Sequence, residues 1–350
     1  MNILFMSEFG EALPLAMHSQ RQGAECKLFL ENKSDIGLGL VPYTKDWKED
    51  VRDADLVVLS TPNMNKYYEE CNKWCPVVGG GKLEHQLRKD PSLWKLLFRL
   101  GGGQPSSKDV EGVEVVVGAW HGKGGWRLPC VIGQITKGLQ DNNKGAGVEG
   151  VGMCITSDVG RGLYSTLLNP LGQSLQKQKL VGFVSMVATF DGKVMHPNRV
   201  QVGLDSFLLP PLMEITSMSF PRLLKRLSTK RIRSSEVRPE YGVAVGLSIP
   251  PFPYPSDSVP KVEINGYNEH NDKHLWLLDV AKHNGNLSCA GLRGHLGYVT
   301  SRGYSVGEAR KRAYRTIGRL EIPQLQYRDD IGEGFLPLLK QINQSYRLFS

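Results

Sequence analysis

Apolar residues change their spacing near residue 113, and this change limits the folds open to the chain. Before that point, short apolar runs alternate with helical segments, a pattern that predicts parallel strands joined by helices. From Val113 onward the apolar spacing moves towards a period of two, which predicts antiparallel hairpins. We therefore expect a small parallel α/β unit followed by a larger, strand-rich part.

The first 80 residues are predicted to form a Rossmann-like parallel sheet. Its expected strands and helices are Asn2–Phe5, Glu11–Gln22, Cys26–Leu30, Ala54–Ser60, Lys66–Trp74 and Pro76–Val78, of which the second and fifth are helices. The first turn, MSEFGEA, lacks the G-x-G-x-x-G spacing. Because those glycines permit the backbone to approach a pyrophosphate, their absence disfavours dinucleotide binding.

Two hairpins and two helices are predicted between residues 113 and 229. The hairpins turn at His121–Gly125 and at Asp191–Gly192, where glycine suits a tight turn. The helices are expected at Tyr164–Gln178 and Pro221–Leu227. The polar, charged run STKRIRSSEVRPE predicts a domain boundary near residue 235.

The segment after this boundary is predicted to contain strands and one well-marked helix. A strand in YGVAVGLSIPPFPYP is stopped by prolines, and two more strands are expected at Leu275–Val280 and His295–Thr300. Ser305 and Glu308 form a capping box that opens the helix ARKRAYRTIGRL. This part of the chain is therefore expected to be α+β.

Charge and cysteine content indicate the kind of partner and compartment. Lys and Arg number 43 against 35 Asp and Glu, a net charge of +8 that favours an anionic partner. Six scattered cysteines lack the spacing of a disulfide framework, so we expect reduced thiols and a cytoplasmic location. No stretch approaches the roughly 18 consecutive apolar residues of a spanning helix, and no membrane partner is expected.

The most specific motif lies near the end, in GYSVGEARKRAYRTIGRLEIPQLQYRDDIG. It resembles the closing signature of the glycinamide ribonucleotide synthetase (phosphoribosylamine–glycine ligase) family of ATP-grasp enzymes, a G-x-(T/S)-x-x-E-A helix followed by R-(R/K)-D-I-G. Asp329 stands where the family has a basic residue. The matching positions are Gly303, Ser305, Glu308, Ala309, Tyr314, Arg328, Asp330, Ile331 and Gly332.

Other segments resemble the same family in the family's order, including PVVGGGKLEHQLRKD, GVEVVVGAW and GFVSMVATFDGKVMHP. The resemblance implies an α/β fold of three domains. These are a Rossmann-like N-terminal domain at residues 1–80, a truncated ATP-grasp domain at 81–234 and an α+β C-terminal domain at 235–350.

The truncation is expected between Leu100 and Val113. The resemblance implies a small subdomain there that clamps ATP, with a lysine for the phosphates, a glycine-rich flap and a hinge for the adenine. Here GGGQPSSKD stands in its place, with Lys108 and Asp109 as the only charges. Nine residues cannot build a sheet, so we expect the clamp to be missing.

The metal-binding positions implied by the resemblance are also altered. Mg²⁺ prefers carboxylate oxygens while it bridges phosphates. The family's ligand Glu corresponds to Gln201, its ligand Asn to Gly203 and its Arg to Asp205. An amide is a poor replacement for a carboxylate and glycine offers no side chain, so no metal site and no retained cofactor are expected.

Substrate-binding positions are better preserved. The family's Gly-Gly-Met-Gly loop is partly matched through Gly152 and Met153. The resemblance also places Arg328 and Asp330 near a phosphoribosyl substrate, and Arg310 and Arg315 are expected to share a residual anion site with Arg328. The expected ligand is a phosphorylated small molecule or the backbone of a nucleic acid.

Other chemically suggestive residues have plainer explanations. Cys71 and Cys75 lie four residues apart but are expected to be structural, and His270 and His274 are expected in a solvated loop. Glu114 is as consistent with pairing to Lys or Arg as with function. The basic runs are consistent with solvated helix faces and consist of Arg222, Lys225, Arg226, Lys230, Arg231 and Arg233, and of Arg310, Lys311, Arg312, Arg315 and Arg319.

Two functions from different classes remain open. The first is a ligase-like protein without ligase activity that serves as a binding or assembly subunit, with a protein partner. The second is an active ATP-dependent carboxylate–amine ligase of the purine biosynthesis type, with a partner chain supplying the missing subdomain. The altered ATP and metal positions favour the first, and the near full-length resemblance favours the second.

Overall fold

A computed structural model describes residues 1–106, 110–139, 150–157, 161–204, 207–229, 235–268 and 270–348. The predicted positions Lys108, Asp109 and Asp205 therefore lie outside the described residues, as do Lys230, Arg231 and Arg233. No helix in these ranges is long and apolar enough to cross a membrane.

The N-terminal segment forms a four-stranded parallel sheet, as the sequence predicts, and the strand order is β2-β1-β3-β4. Its register pairs Ile3 with both Cys26 and Leu56, so β1 is central. The central strand β1 is apolar and buried because both of its faces are covered, whereas β2 carries the exposed Glu25 and Lys27. The elements are β1 (Asn2–Ser7), α1 (Leu13–Arg21), β2 (Glu25–Leu30), α2 (Trp47–Asp53), β3 (Leu56–Leu59), a 3₁₀ turn (Pro62–Tyr67), α3 (Tyr68–Cys71) and β4 (Val77–Val78).

The two predicted hairpins form in this part of the chain, and strand β7 and helix α8 are present in addition to the predicted elements. The turns of both hairpins lie where glycines were identified, after Gly122 and at Asp191–Gly192. The elements are α4 (Gly81–Lys89), α5 (Leu93–Leu100), β5 (Val113–Gly122), β6 (Gly125–Thr136), β7 (Gly152–Thr156), α6 (Arg161–Leu163), α7 (Gly172–Lys177), β8 (Gly182–Phe190), β9 (Met195–Gly203), α8 (Leu209–Ile215) and α9 (Phe220–Thr229).

The described residues from 235 onward add five strands and two α-helices. The predicted strand Leu275–Val280 proves to be parts of two strands that belong to different sheets. Helix α10 begins at the capping box, as predicted. The elements are β10 (Tyr241–Ser248), β11 (Leu275–Leu277), β12 (Val280–His283), β13 (Asn286–Cys289), β14 (His295–Gly303), α10 (Val306–Ile317) and α11 (Phe335–Tyr346).

One antiparallel sheet of eight strands forms the centre of the molecule. Its order is β11-β14-β10-β7-β6-β5-β8-β9, and β7 pairs with β10 through Cys154 and Val243. Strands on both sides of residue 235 therefore share one sheet, and the predicted boundary there does not interrupt it.

Helices α8 and α10 pack on the part of this sheet formed by β10 and β14. Helix α8 contacts β10 and β14, and its Glu214 accepts a hydrogen bond from Thr300. Ser301, the next residue on β14, donates to Ala309 of α10. Because successive residues of a strand point to opposite faces, α8 and α10 cover opposite faces of this part of the sheet.

Candidate functional site

A central cleft lies where the N-terminal sheet meets the large sheet. It consists of two small cavities, of about 100 Å³ and about 20 Å³, and His295 at the start of β14 lines both. The larger is lined by Phe9, Gly10, Glu11, Ile36, Leu278, Asp279, Leu292 and Arg293, and the smaller by Leu139, Gly150, Val151, Gly246, Ser248, Phe252, Gln326 and Tyr327. The larger cavity lies at the carboxyl end of β1, where ligands bind in open parallel sheets, and the smaller one lies within the large sheet and the C-terminal segment.

The loop after β1 is closed by its own side chain. The Glu11 carboxylate accepts hydrogen bonds from the backbone N–H groups of Phe9, at 2.9 Å, and Gly10, at 3.2 Å. Backbone amides at such a loop are the donors that bind phosphate in nucleotide-binding folds. Glu11 occupies them here, which agrees with the missing glycine motif.

Asp279 organises the opposite wall of the cleft. Its carboxylate is 3% exposed and accepts from the backbone N–H groups of Leu292, Arg293 and Gly294, at 3.1, 2.6 and 2.7 Å. Three charge-assisted hydrogen bonds hold this loop in one conformation. The loop in turn presents Arg293 and the following His295 to the cleft.

His295 is held between aromatic rings. It stacks on Phe252 with ring centroids 5.0 Å apart, and Tyr298 contacts its edge at 5.1 Å. Burial and the positive charge of Arg293 lower the pKa of His295 to about 4. The imidazole is therefore neutral near pH 7 and offers one donor and one acceptor to a ligand.

None of the residues predicted to bind substrate, all of which the structure describes, lines either cavity of the cleft. Gly152 begins β7, and a side chain there would meet Ile331 at 2.3 Å, so its lack of a side chain lets the C-terminal segment pack closely. Met153 is fully buried. Both residues therefore serve close packing in this structure.

The Arg328 guanidinium is occupied by protein acceptors. Its Nε donates to Asp330 Oδ1 at 2.8 Å, Nη2 pairs with Oδ2 of the same carboxylate, and Nη1 donates to the carbonyls of Lys137 and Gly138. The residue is 2% exposed. This geometry corrects the expectation of an anion site at Arg328, because the guanidinium anchors the C-terminal segment to the end of β6.

The two helix arginines do not complete such a site either. Arg310 donates to the carbonyl of Asp329 at 2.9 Å and pairs with Glu333 at 2.7 Å. Arg315 is exposed and lies about 140° further round α10, given 100° per residue. Arg310 thus joins the Arg328 network, and Arg315 does not.

The residues at the implied Mg²⁺ positions do not fit a magnesium ion. Gln201 offers an amide that lies 3.5 Å from the Ser185 hydroxyl. Gly203 has a φ of +120°, and a Cβ there would lie 2.3 Å from Oε1 of Glu84. Glu84 is 5% exposed and accepts from Asn65 at 2.7 Å. Its carboxylate thus fills the space that a ligand side chain at 203 would need.

The plainer explanations describe several other residues. Glu114 pairs with Lys137 at 2.9 Å, and burial raises the pKa of Cys71 to about 12. His274 pairs with Glu214 at 2.9 Å, so it is part of a packed cluster and not of a solvated loop. No group of three or more His, Cys, Asp or Glu side chains in the described ranges could hold a metal ion.

Sequence reasoning missed His295, Asp279 and Glu11. None of them belongs to a motif with ligand spacing, and each gains its role from a contact across the fold or within an irregular loop. The Gly-rich composition around residues 291–297 was the available signal, since it allows the backbone to turn towards a carboxylate.

Comparisons with known proteins agree on the fold. A phosphoribosylamine–glycine ligase from Clostridium acetobutylicum is 24% identical over 234 residues, which cover 64% of this chain. The match includes 55% of that relative, so the chain spans about half the length of the curated protein. No family model matches the sequence.

Two crystal structures extend this agreement over nearly the whole chain. A phosphoribosylamine–glycine ligase from Thermotoga maritima has a TM-score of 0.75 at 14% identity and covers 95% of this chain and 100% of its own. A phosphoribosylglycinamide synthetase from Anaerococcus prevotii has a TM-score of 0.60 at 10% identity and covers 92% and 98%. The resemblance predicted from the closing segment is confirmed, and the chain has a mixed α/β fold like that of these ligases.

Proposed function

We propose that this chain is a phosphoribosylamine–glycine ligase-like protein without ATP-dependent ligase activity, and that it acts as a binding or assembly subunit. The ligand predicted for such a subunit is a phosphorylated small molecule or a nucleic-acid backbone. The proposal rests on the fold that the chain shares with the ligases and on the short connection that replaces a clamping subdomain.

The direct passage from α5 to β5 carries the proposal. Helix α5 ends at Leu100 and β5 begins at Val113, and residues 101–106 and 110–112 contain no strand. The backbone N–H of Ser106 donates to the carbonyl of Pro197 at 3.1 Å, so the connection contacts β9 at this residue. Because a typical strand takes about 5–6 residues, the twelve residues cannot supply a sheet that encloses ATP.

The Glu84–Gly203 contact supports the same conclusion. Mg²⁺ in phosphoryl-transfer sites is held by carboxylates that face the substrate phosphates. Glu84 is instead turned against Gly203 and Asn65 in a buried position. Without the clamp and the metal, the electrostatic stabilisation on which phosphoryl transfer depends is lost.

The test is phosphate release from Mg²⁺-ATP in the presence of glycine and phosphoribosylamine. We expect no release above a boiled control, and no Mg²⁺-ATP-dependent rise in the melting temperature. The Thermotoga maritima ligase, assayed in parallel, serves as the positive control. Steady Mg²⁺-dependent release that survives further purification would overturn the proposal.

A surface feature favours the second candidate, a ligase completed by a partner chain. Leu96 and Leu100 are 55% and 69% exposed on α5, and Val113 is 41% exposed where β5 begins. These apolar side chains flank the point at which a clamping subdomain would be inserted. If a partner docks there, protein isolated from its native host should hydrolyse ATP, and a Leu96→Lys/Leu100→Lys variant should lose both the partner and the activity.

A further inference from the structure

A second polar cavity lies away from the central cleft, and we name it the Glu214 cavity. Its volume is about 230 Å³, it is open to solvent on one side, and residues of helix α8, the end of β14 and the turn before β11 line it. His295 and Thr300 are five residues apart on β14, or ~17 Å in an extended strand, so the two sites are separate. Its polar lining consists of Glu214, Arg238, Lys273, His274, Thr300 and Arg302.

Glu214 is the acidic residue that lines the cavity, and its Oε1 is already bound. That oxygen accepts from Nδ1 of His274 at 2.9 Å and from the hydroxyl of Thr300 at 2.6 Å. The Glu214 side chain is 10% exposed. Two lining residues therefore already bind this carboxylate, and its single negative charge faces the cationic side chains of the cavity.

Three cationic side chains line the same space. Two hydrogen bonds fix the backbone of Arg238. Its N–H donates to the carbonyl of Ile215 at 2.8 Å, and its carbonyl accepts from the hydroxyl of Ser157 at 2.6 Å. No carboxylate of the described residues lies within ion-pair distance of Arg238 or of the exposed Lys273. The cavity thus has more positive than negative charge.

Arg302 has a donor that the protein does not use. Its Nε lies 3.6 Å from Glu240, which is too long for a hydrogen bond, and its buried Nη1 has no hydrogen-bond partner among the described residues. Leaving a buried charged donor unsatisfied is costly. The Arg302 side chain as a whole is 37% exposed and lines the cavity, so a ligand oxygen can reach its exposed donors.

The remaining wall is apolar. It includes Trp276, which is 7% exposed, with Met213 and Leu275. His18 also lines the cavity, and burial together with Arg21 lowers the pKa of His18 to about 4, so it adds no charge near neutral pH. An inorganic ion would leave this wall uncovered, whereas a ligand with a compact apolar body would contact it.

We propose that the Glu214 cavity binds a small organic oxyanion, a carboxylate or a phosphate monoester, whose anionic group contacts Arg302 and Arg238 and whose apolar body lies against Trp276. Arginine suits this role because its planar fork donates two parallel hydrogen bonds to either anion. The volume is below the roughly 300–1,000 Å³ of pockets for drug-sized ligands, so the ligand is small. This role goes beyond the proposed function and does not depend on it.

The experiment titrates the full chain with four probes by calorimetry and by tryptophan fluorescence. Phenyl phosphate and benzoate represent the two ligand classes, inorganic phosphate lacks the apolar body, and benzyl alcohol lacks the charge. We expect at least one of the two organic anions to bind more tightly than inorganic phosphate, benzyl alcohol not to bind, and affinity to fall as salt rises. The stronger of the two organic anions identifies the ligand class.

Three variants test the assignment. Arg302→Met and Arg238→Met should each weaken binding about tenfold or more, since each removes a charge-assisted contact. Trp276→Phe should remove the fluorescence change while calorimetric binding persists. Arg315→Met, which changes an exposed arginine on α10, is the matched control and should leave binding unchanged.

The outcomes that overturn the proposal are equally specific. Binding of neither organic anion at low salt would overturn it, as would tight binding that survives both arginine substitutions. If Arg302→Met strongly lowers the melting temperature, its effect on affinity cannot be interpreted. The affinities of Arg238→Met and of Lys273→Ala, a change at an exposed residue, then test the site. Unchanged affinity in both variants would show that the ligand binds elsewhere and would overturn the proposal. If benzyl alcohol binds as tightly as phenyl phosphate and benzoate, the cavity does not recognise an anion, and this result would also overturn the proposal.

Discussion

A single glycine shows how this protein departs from the ligases it resembles. Gly203 stands where the resemblance implies an asparagine ligand, and its φ of +120° is one that other residues rarely adopt. The carboxylate of Glu84 fills the adjoining space and holds Asn65. Restoring a side chain at 203 would therefore require both a different backbone and a displaced glutamate.

We predict that Gly203→Ala destabilises the protein by roughly 3 kcal/mol, from backbone strain plus the disrupted Glu84–Asn65 hydrogen bond. Gly192→Ala is the matched control. Gly192 has a similar φ of +96° but open space around its Cβ, so strain alone of about 1–2 kcal/mol is expected. Urea unfolding measures both values, and equal losses would contradict the role given to Glu84.

His295 makes the stability depend on pH. Its pKa falls from 6.5 to about 4 on folding, so the unfolded chain binds this proton first as the pH is lowered. The stabilisation is complete above pH 6.5 and declines towards pH 4, by at most about 3 kcal/mol from a shift of this size.

We therefore predict a flatter dependence for His295→Asn. Between pH 7.5 and pH 4.5, the free energy of unfolding from urea titrations should fall less in this variant than in the parent protein. The exposed His283, replaced by Asn in the same way, is the matched control. If the free energy of unfolding of His295→Asn falls with pH as steeply as that of the parent protein, the neutral imidazole of His295 does not contribute to the pH dependence of stability.

Among the elements, α10 was predicted most precisely from sequence. Ser305 accepts from the N–H of Glu308 at 3.1 Å, and the Glu308 carboxylate accepts from the N–H of Tyr304 at 2.8 Å. These reciprocal bonds depend only on residues three or four apart. Local sequence is therefore sufficient to define where this helix begins.

We predict that Ser305→Ala costs about 1 kcal/mol of stability, the usual effect of removing an N-cap side chain. Amide exchange should accelerate in the first turn of α10 and not in β14. Thr316→Ala, near the other end of the helix, is the control and should change stability by less than about 0.5 kcal/mol. Loss of the whole helix in Ser305→Ala would contradict a local effect.

Three other elements were predicted less well, each for its own reason. The helix expected over Tyr164–Gln178 is interrupted near Pro170, which lacks the N–H that a continuous helix needs. The strand expected at Leu275–Val280 divides before Asp279, whose carboxylate binds amides thirteen to fifteen residues away. Helix α11 was not predicted, although Phe335, Leu338, Leu339 and Ile342 have helical spacing and are buried.

The contacts of the residues expected to bind substrate were not predictable from their spacing. Arg328 was assigned to an anion, because its acceptors at Lys137 and Gly138 lie about 190 residues earlier in the chain. Burial and pairing of this kind come from tertiary structure, which spacing in one sequence does not show.

At the scale of the whole molecule, the N-terminal sheet is tied to the far end of the chain. The N–H of Gly37 donates to Val280 and that of Lys282 donates to Leu38, both at 2.8 Å. Arg21 pairs with Asp272 through two hydrogen bonds of 2.6 and 2.5 Å. One apolar core also runs from α1 to the large sheet, so the predicted domains share their interior.

We therefore predict that the protein unfolds in one cooperative transition. Far-UV circular dichroism and tryptophan fluorescence should give the same urea midpoint. Arg21→Ala removes a half-buried pair, so it should shift this midpoint by the equivalent of roughly 1–3 kcal/mol without splitting the transition. Arg52→Ala, which changes an exposed arginine in the same segment, should shift the midpoint far less. An early transition confined to residues 1–80, or a folded fragment of residues 81–350, would instead show that the N-terminal sheet is an independent domain, because shared contacts would then not couple the two parts.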